Sequence, residues 1–89
     1  PLSLIEAMRF GCLCISSNIG EINELLKDDR GIIIDKVNTK NLIDSIKLAI
    51  KDDKSSKSKM INSFKYADKN FSYSVYKENL KDIIERHID

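Results

Sequence analysis

The chain has 89 residues and a mass of 10.2 kDa, which is room for one small domain or part of a larger one, not for two. Lys and Arg number 15 against 14 Asp and Glu, a net charge of +1 that lacks the strong basic excess of a dedicated nucleic-acid binder. At 42% hydrophobic and 33% charged it is too apolar for a disordered tail, and no apolar run approaches the roughly 18–20 residues that span a bilayer.

Two cysteines, Cys12 and Cys14, are too few and too close for a disulfide framework, and they predict free thiols in a reducing compartment. The chain opens at Pro1 on an apolar helical pattern, without the basic start and cleavage site of a secretory leader. It is therefore expected to be a piece of a longer protein, in which a site completed upstream is present only in part. Charge is uneven along it. Residues 1–35 carry three basic and six acidic side chains, residues 36–70 nine lysines and four acids, and residues 71–89 three basic and four acidic. Asp44, Asp52, Asp53 and Asp68 interrupt the basic stretch. It reads first as a solvated helical surface, with contact to anionic lipid as the functional alternative.

In chain order, Leu2 to Phe10 is predicted to be a short helix with Leu2, Ile5, Ala7, Met8 and Phe10 apolar, ended by a left-handed Gly11. Residues 12–16, CLCIS, read as a short buried strand, and Ser17, Asn18 and Gly20 supply turn chemistry. A short helix carrying Ile22, Leu25 and Leu26 follows and is broken by KDDRG. Gly31-Ile32-Ile33-Ile34 is the strongest strand signal, apolar throughout and expected to be buried on both faces.

The second half is predicted to be helical. Asn38 or Thr39 caps a helix whose Leu42, Ile43, Ile46, Ala49 and Ile50 follow the 3.6-residue period. Residues 51–59 mark a break or the start of the next helix, which carries a stripe of Met60, Phe64, Ala67 and Phe71. Ser72 or Ser74 caps a last helix with Tyr76, Leu80, Ile83, Ile84 and Ile88 on its apolar face. This alternation predicts an α/β class with two short parallel strands and helices packed on them. Two strands alone make a poor sheet.

Chemistry-bearing residues are few. Cys12 and Cys14 point to opposite faces of a strand and no second Cys or His pair follows, so no metal is expected. His87, the single histidine, lies near the end of a helix, where a solvated role is commoner than catalysis. Gly11, Gly20 and Gly31 form no phosphate-binding loop. What remains is Glu6, the sole acid of the first helix. It reads either as a helix-start acid favoured by the helix dipole or as a site residue. Glu21 and Glu24 read as acids at the start of their own helix. Ser3 reads as a plain N-cap.

The run Pro1-Leu2-Ser3-Leu4-Ile5-Glu6-Ala7-Met8, followed by Gly11-Cys12-Leu13-Cys14-Ile15-Ser16-Ser17-Asn18-Ile19-Gly20 and Glu24, resembles the C-terminal part of a group 1 glycosyltransferase of the GT-B fold, family 4. Gly31-Ile32-Ile33-Ile34 resembles that family's N-G-L-L-V strand, Asn41-Leu42-Ile43-Asp44-Ser45-Ile46 the helix after it, and Phe71-Ser72-Tyr73 the F-S-W that opens the last helix. The departures are Arg9 where alanine is common, Leu13 for proline, Cys14 for valine, Glu21 for glycine and Asn23 for proline.

The resemblance implies a Rossmann-like, nucleotide-sugar donor-binding domain, with residues 1–35 forming its donor-site helix and strands and 36–89 a helical part. Of the family's two glutamates, Glu6 matches the second, which holds the ribose hydroxyls of the donor. The backbone of Pro1, Leu2 and Ser3 matches the loop-to-helix start that meets the diphosphate and sugar. No catalytic residue falls within the chain by this comparison, and no metal or other cofactor is implied. The expected function is as part of a retaining transferase passing sugar to a glycan or lipid-linked acceptor in bacterial surface-polysaccharide synthesis. That setting is cytoplasmic, with peripheral contact at the inner face of the membrane and no nucleic-acid partner. The chain by itself is expected to be inactive. The alternative from another class is a non-catalytic α/β interaction module with a degenerate donor site.

Overall fold

The structure, a computed structural model, describes residues 2–87. Seven elements follow one another: α1 (Leu2–Arg9), β1 (Ile15–Ser17), α2 (Glu21–Leu26), β2 (Ile32–Ile34), α3 (Thr39–Lys51), α4 (Asp53–Asn70) and α5 (Tyr73–His87). The two strands lie side by side and parallel, with Ile15 opposite Ile32, Ser16 opposite Ile33 and Ser17 opposite Ile34. Parallel pairing requires a crossover, and α2 provides it. The fold is thus the small α/β arrangement of two parallel strands with helices that the sequence predicts.

The first helix ends as Gly11 dictates. Gly11 takes φ 71°, its amide donates to the Met8 carbonyl at 3.0 Å, and the Cys12 amide donates to the Ala7 carbonyl at 3.1 Å. This paired closure satisfies two of the helix's last free carbonyls and turns the chain back along α1. The strand predicted over residues 12–16 is shifted: residues 12–14 are irregular and β1 begins at Ile15. Residues 12 and 13 are still leaving the helix turn, and the ladder is first engaged where the Ile32 amide reaches the Cys14 carbonyl at 2.9 Å. Side-chain alternation survives, with Cys12 exposed and Cys14 buried, both as free thiols. Burial pushes the Cys14 thiol upward in pKa.

The core gathers Met8, Cys14, Leu25, Leu26 and Ala67 from α1, the approach to β1, α2 and α4. Full burial of an aliphatic side chain of this size contributes about 1.5–3 kcal/mol. In β2 only Ile34 is buried, while Ile32 and Ile33 are half-buried. A two-stranded sheet leaves part of each face open, which corrects the expectation of a strand covered on both sides.

Between α2 and β2 the chain makes a tight reversal through Asp28 (φ 57°) and Asp29 (φ 61°), residues whose short polar side chains tolerate the left-handed region. Arg30 then turns inward. Its Nε donates to the Leu25 carbonyl at 2.8 Å, a terminal nitrogen donates to the Glu24 carbonyl, and the guanidinium stacks 3.8 Å from the Tyr66 ring centre. A buried cation here caps α2 and ties it to α4. Asp29 reinforces the tie by accepting from Lys59 at 2.8 Å and Ser58 at 3.1 Å.

Asn38 is the cap of α3, its side chain accepting from the Asn41 amide at 2.8 Å. Asp52 closes α3 through its own amide and opens α4 by accepting from the Ser55 amide at 3.1 Å. The break near residues 51–59 is therefore a single residue, and the rest of that stretch is helix. The packed face of α4 also differs from the predicted stripe. Ser56, Ser63 and Ala67 are buried, whereas Phe64 is 47% exposed. Small side chains let α4 approach α1 closely, which a bulky Phe on that line would prevent. The proposed cap Ser72 directly precedes α5 and shares a hydroxyl hydrogen bond with Ser74, which lies inside the helix. Ile88 and the side chain of Tyr76, assigned to the last apolar face, lie outside the described residues.

Candidate functional site

The site is built on α1 and its return along β1. The chain reverses at Gly11, so α1 and β1 run in opposite directions. Ala7 meets Cys12 at one end, and Ser3 and Ser16 share a groove at the other. This places the N-terminal end of α1 at the carboxyl edge of the parallel strands. In open α/β sheets that edge is where ligands bind, and a helix N-terminus there favours anions. Asn18 and Asp35, the residues just past β1 and β2, close the same edge with a side-chain hydrogen bond of 3.0 Å.

The groove measures about 360 Å³ and is lined by Ser3, Leu4 and Ala7 of α1, residues 12–16, and Ile22 of α2. Its lining is mixed, with Ser3 and Ser16 among aliphatic residues and the two cysteines. A second cavity of about 250 Å³ lies elsewhere, between β2, α3 and α4, around Ile32, Ser45, Leu48 and Ala49. It shares no residue with the α1 groove.

The predicted site residues are placed as follows. Leu2 is the first residue of α1 and 59% exposed. Ser3 is exposed and borders the groove. It stands inside the first turn of the helix, so the N-cap alternative for Ser3 does not hold. Glu6 lies one turn further on, with its side chain 51% exposed, outside the groove lining. No acid occupies the first turn of α1, and Glu6 stands in the second, where the favourable effect of the helix dipole is weaker. Its partner is Arg9, whose Nη1 is 3.7 Å from Oε1. Pro1 lies outside the described residues. Leu2, Ser3 and Glu6 thus share one stretch of α1, and of the three Ser3 alone lines the groove.

Glu21 and Glu24 occupy the first turn of α2, as expected for acids at a helix start, and Glu24 pairs with Lys27 at 3.0 Å. Sequence reasoning missed Ser16 as a groove residue and Arg9 as the partner of Glu6. The second was available from i,i+3 spacing on a helix, which brings such side chains together. Among the described residues no group of three or more His, Cys, Asp or Glu stands close enough to hold a metal ion, and no helix is long and apolar enough to cross a membrane.

No curated protein and no solved structure matches the chain. The family model for glycosyl transferases group 1 matches residues 1–69, which spans α1 through nearly all of α4. The match takes in the groove, both strands and Glu6, and the chain belongs to the group 1 glycosyl transferases.

Proposed function

We propose that the chain is the distal part of the donor-binding domain of a retaining, GT-B, family 4 glycosyltransferase, with residues 1–35 forming the donor site and 36–89 its helical support. The observation that carries this reading is the start of α1, set at the carboxyl edge of the parallel strands beside a groove lined by Ser3 of α1 and Ser16 of β1. The Glu6 carboxylate accepts hydrogen bonds from the two ribose hydroxyls of a nucleotide sugar, a pairing of one acceptor group with two O–H donors. Pro1, Leu2 and Ser3 present the helix start to the diphosphate, and the free amides of the first turn bear the leaving group's charge without a metal ion. The sugar passes to a glycan or lipid-linked acceptor in bacterial surface-polysaccharide assembly, on the cytoplasmic side. Further protein completes the acceptor site, so this chain binds donor without turning it over.

Glu6→Gln tests the reading. The substitution keeps the helix and removes the charge that strengthens both hydrogen bonds, a loss of roughly 1–3 kcal/mol, or about 5- to 150-fold in affinity. Calorimetric titration with a nucleoside diphosphate is expected to show that deficit, and a 2′-deoxy analogue a smaller one. Equal affinities for the two proteins would remove Glu6 from the site.

The second reading, an interaction module with a degenerate donor site, draws on α3, whose Leu42, Ile43 and Ile46 are each more than 40% exposed and Ile50 76% exposed. Under it, Glu6→Gln changes no nucleotide affinity, and substitution on α3 abolishes a protein contact instead.

A further inference from the structure

Glu6 is a half-exposed glutamate on a helix surface, and three rotatable bonds separate its carboxylate from the backbone. Used as a ribose ligand, such a group must first be immobilised, and its lost rotamer freedom weakens binding. Arg9 is the only basic residue of α1. Helical side chains lean toward the helix N-terminus, so the Arg9 guanidinium reaches back over the preceding turn toward Glu6. It stands 3.7 Å from Oε1, and it is the more covered partner, 31% exposed against 51%. Among the described residues no other side chain pairs with that carboxylate. Oε1 is therefore the oxygen nearest Arg9, on a side chain that is 51% exposed, and Oε2 has no side-chain partner among the described residues.

We propose that Arg9 is a positioning residue for the donor. It holds Glu6 in the rotamer that presents the free carboxylate oxygen to the ribose diol. This rests on the donor reading of Glu6 and adds to it a residue that the family pattern, with alanine at that position, does not supply. Acting only through Glu6, Arg9 needs no contact with the nucleotide. The ribose is common to a nucleoside and its diphosphate, so both ligands are affected alike.

The test is a double-mutant cycle on the whole chain, with uridine, adenosine, guanosine and their 5′-diphosphates as probes and binding followed by NMR titration. Arg9→Ala is expected to weaken nucleoside and diphosphate equally, by about two- to fivefold for a partly exposed pair. Arg9→Lys restores most of the loss, and in the Glu6→Gln background Arg9→Ala has no further effect. Helix content by circular dichroism is unchanged throughout.

A loss confined to the diphosphates, or one that persists in the Glu6→Gln background, overturns the proposal, since Arg9 then acts without Glu6. Unchanged binding in Arg9→Ala, with Glu6→Gln still impaired, overturns it while leaving the donor reading in place. If Glu6→Gln binds every probe as well as the unsubstituted chain, or the unsubstituted chain binds none, both readings fall.

Discussion

Residues 2–34 and residues 39–87 hold together by different means. In the first region Met8, Cys14, Leu25, Leu26 and Ile34 are buried, and only Leu2, Phe10 and Ile19 among the large apolar side chains are exposed. In the second, Ala67 is the one buried apolar residue among the described side chains, while Leu42, Ile43, Ile46, Leu48, Ile50, Ile61, Phe64, Leu80, Ile83 and Ile84 are all exposed. The helices of the second region are fastened by small residues and polar pins. Ser56 Oγ donates to the Ala49 carbonyl at 2.6 Å, and Asp52 serves two helix ends. The molecule is drawn out to 54 × 25 × 17 Å with a radius of gyration of 15.6 Å, against about 12 Å for a compact chain of this length. The half that carries the candidate site is the packed half. Site geometry here rests on hydrophobic burial, and the periphery rests on caps and pins that open at low cost.

The sharpest way to break this contrast is to cut the same side-chain atoms from both halves. Leu26 is 1% exposed at the centre of the core, and Leu26→Ala is expected to cost about 2–5 kcal/mol. Ile46 is 43% exposed on α3, and Ile46→Ala is expected to cost under about 1 kcal/mol. Urea midpoints of the two variants measure the difference. Equal losses would mean that α3 is covered in solution and that the two regions form one core.

Next in size is Gly31, where a Cβ would lie 2.9 Å from the Cys14 carbonyl oxygen and 2.9 Å from Leu26 Cδ2. The leucine end can shift, but the carbonyl belongs to the ladder and already accepts from Ile32. Gly31→Ala is expected to destabilise by about 1–3 kcal/mol, the usual scale of overpacking. Amide exchange should rise at Ile32 before it rises in α3. Arg30→Met, which keeps an apolar stem but frees the Leu25 and Glu24 carbonyls and removes the contact with Tyr66, is expected to cost about 1–3 kcal/mol. If Arg30→Met leaves the thermal midpoint unchanged, the buried guanidinium is not what joins α2 to α4.

The sequence reveals the features that local chemistry decides. Gly11 ends α1 because few residues other than glycine enter that conformation cheaply, and Asn38 caps α3 because its oxygen reaches an orphan amide. The parallel pairing of the two strands follows from the helix between them. Other features depend on distant partners. Ala67 of the predicted α4 stripe is buried as expected, but Ser63 is buried in place of Phe64, because close helix packing selects for small volume, which periodicity of large apolar residues cannot show. Arg30 reads as an exposed loop cation until the carbonyls of α2 and the ring of Tyr66 are in place around it. At the candidate site, Glu6 stands out as the sole acid of the first helix, whereas Ser3 is marked by the family pattern alone. Their positions beside the groove and beside Arg9 come from the reversal at Gly11 and from the helix turn.

The smallest expected effect concerns the pin that crosses between the two halves. Asp29, in the α2–β2 turn, accepts from Lys59 and Ser58 of α4, and Lys59 foremost holds its carboxyl below the usual aspartate range, near 3.8. A folded-state pKa lower than the unfolded one stabilises the fold above the unfolded value. That stabilisation fades as pH falls through the unfolded value and then through the lower folded one. The carboxylate is half-exposed, so the effect is modest and shrinks with added salt. Asp29→Asn keeps the turn, since asparagine also tolerates a positive φ, and it replaces the titrating carboxylate with a neutral amide that has one acceptor oxygen. Unfolding midpoints of the two proteins should therefore differ near neutral pH, begin to converge as pH falls through the usual aspartate value near 3.8, and meet below the lower folded-state value as Asp29 takes up its proton. A gap that stays constant down to acid pH would assign the contribution of Asp29 to turn geometry. The link between the packed and the pinned half would then be steric, and Lys59 would be a bystander in it.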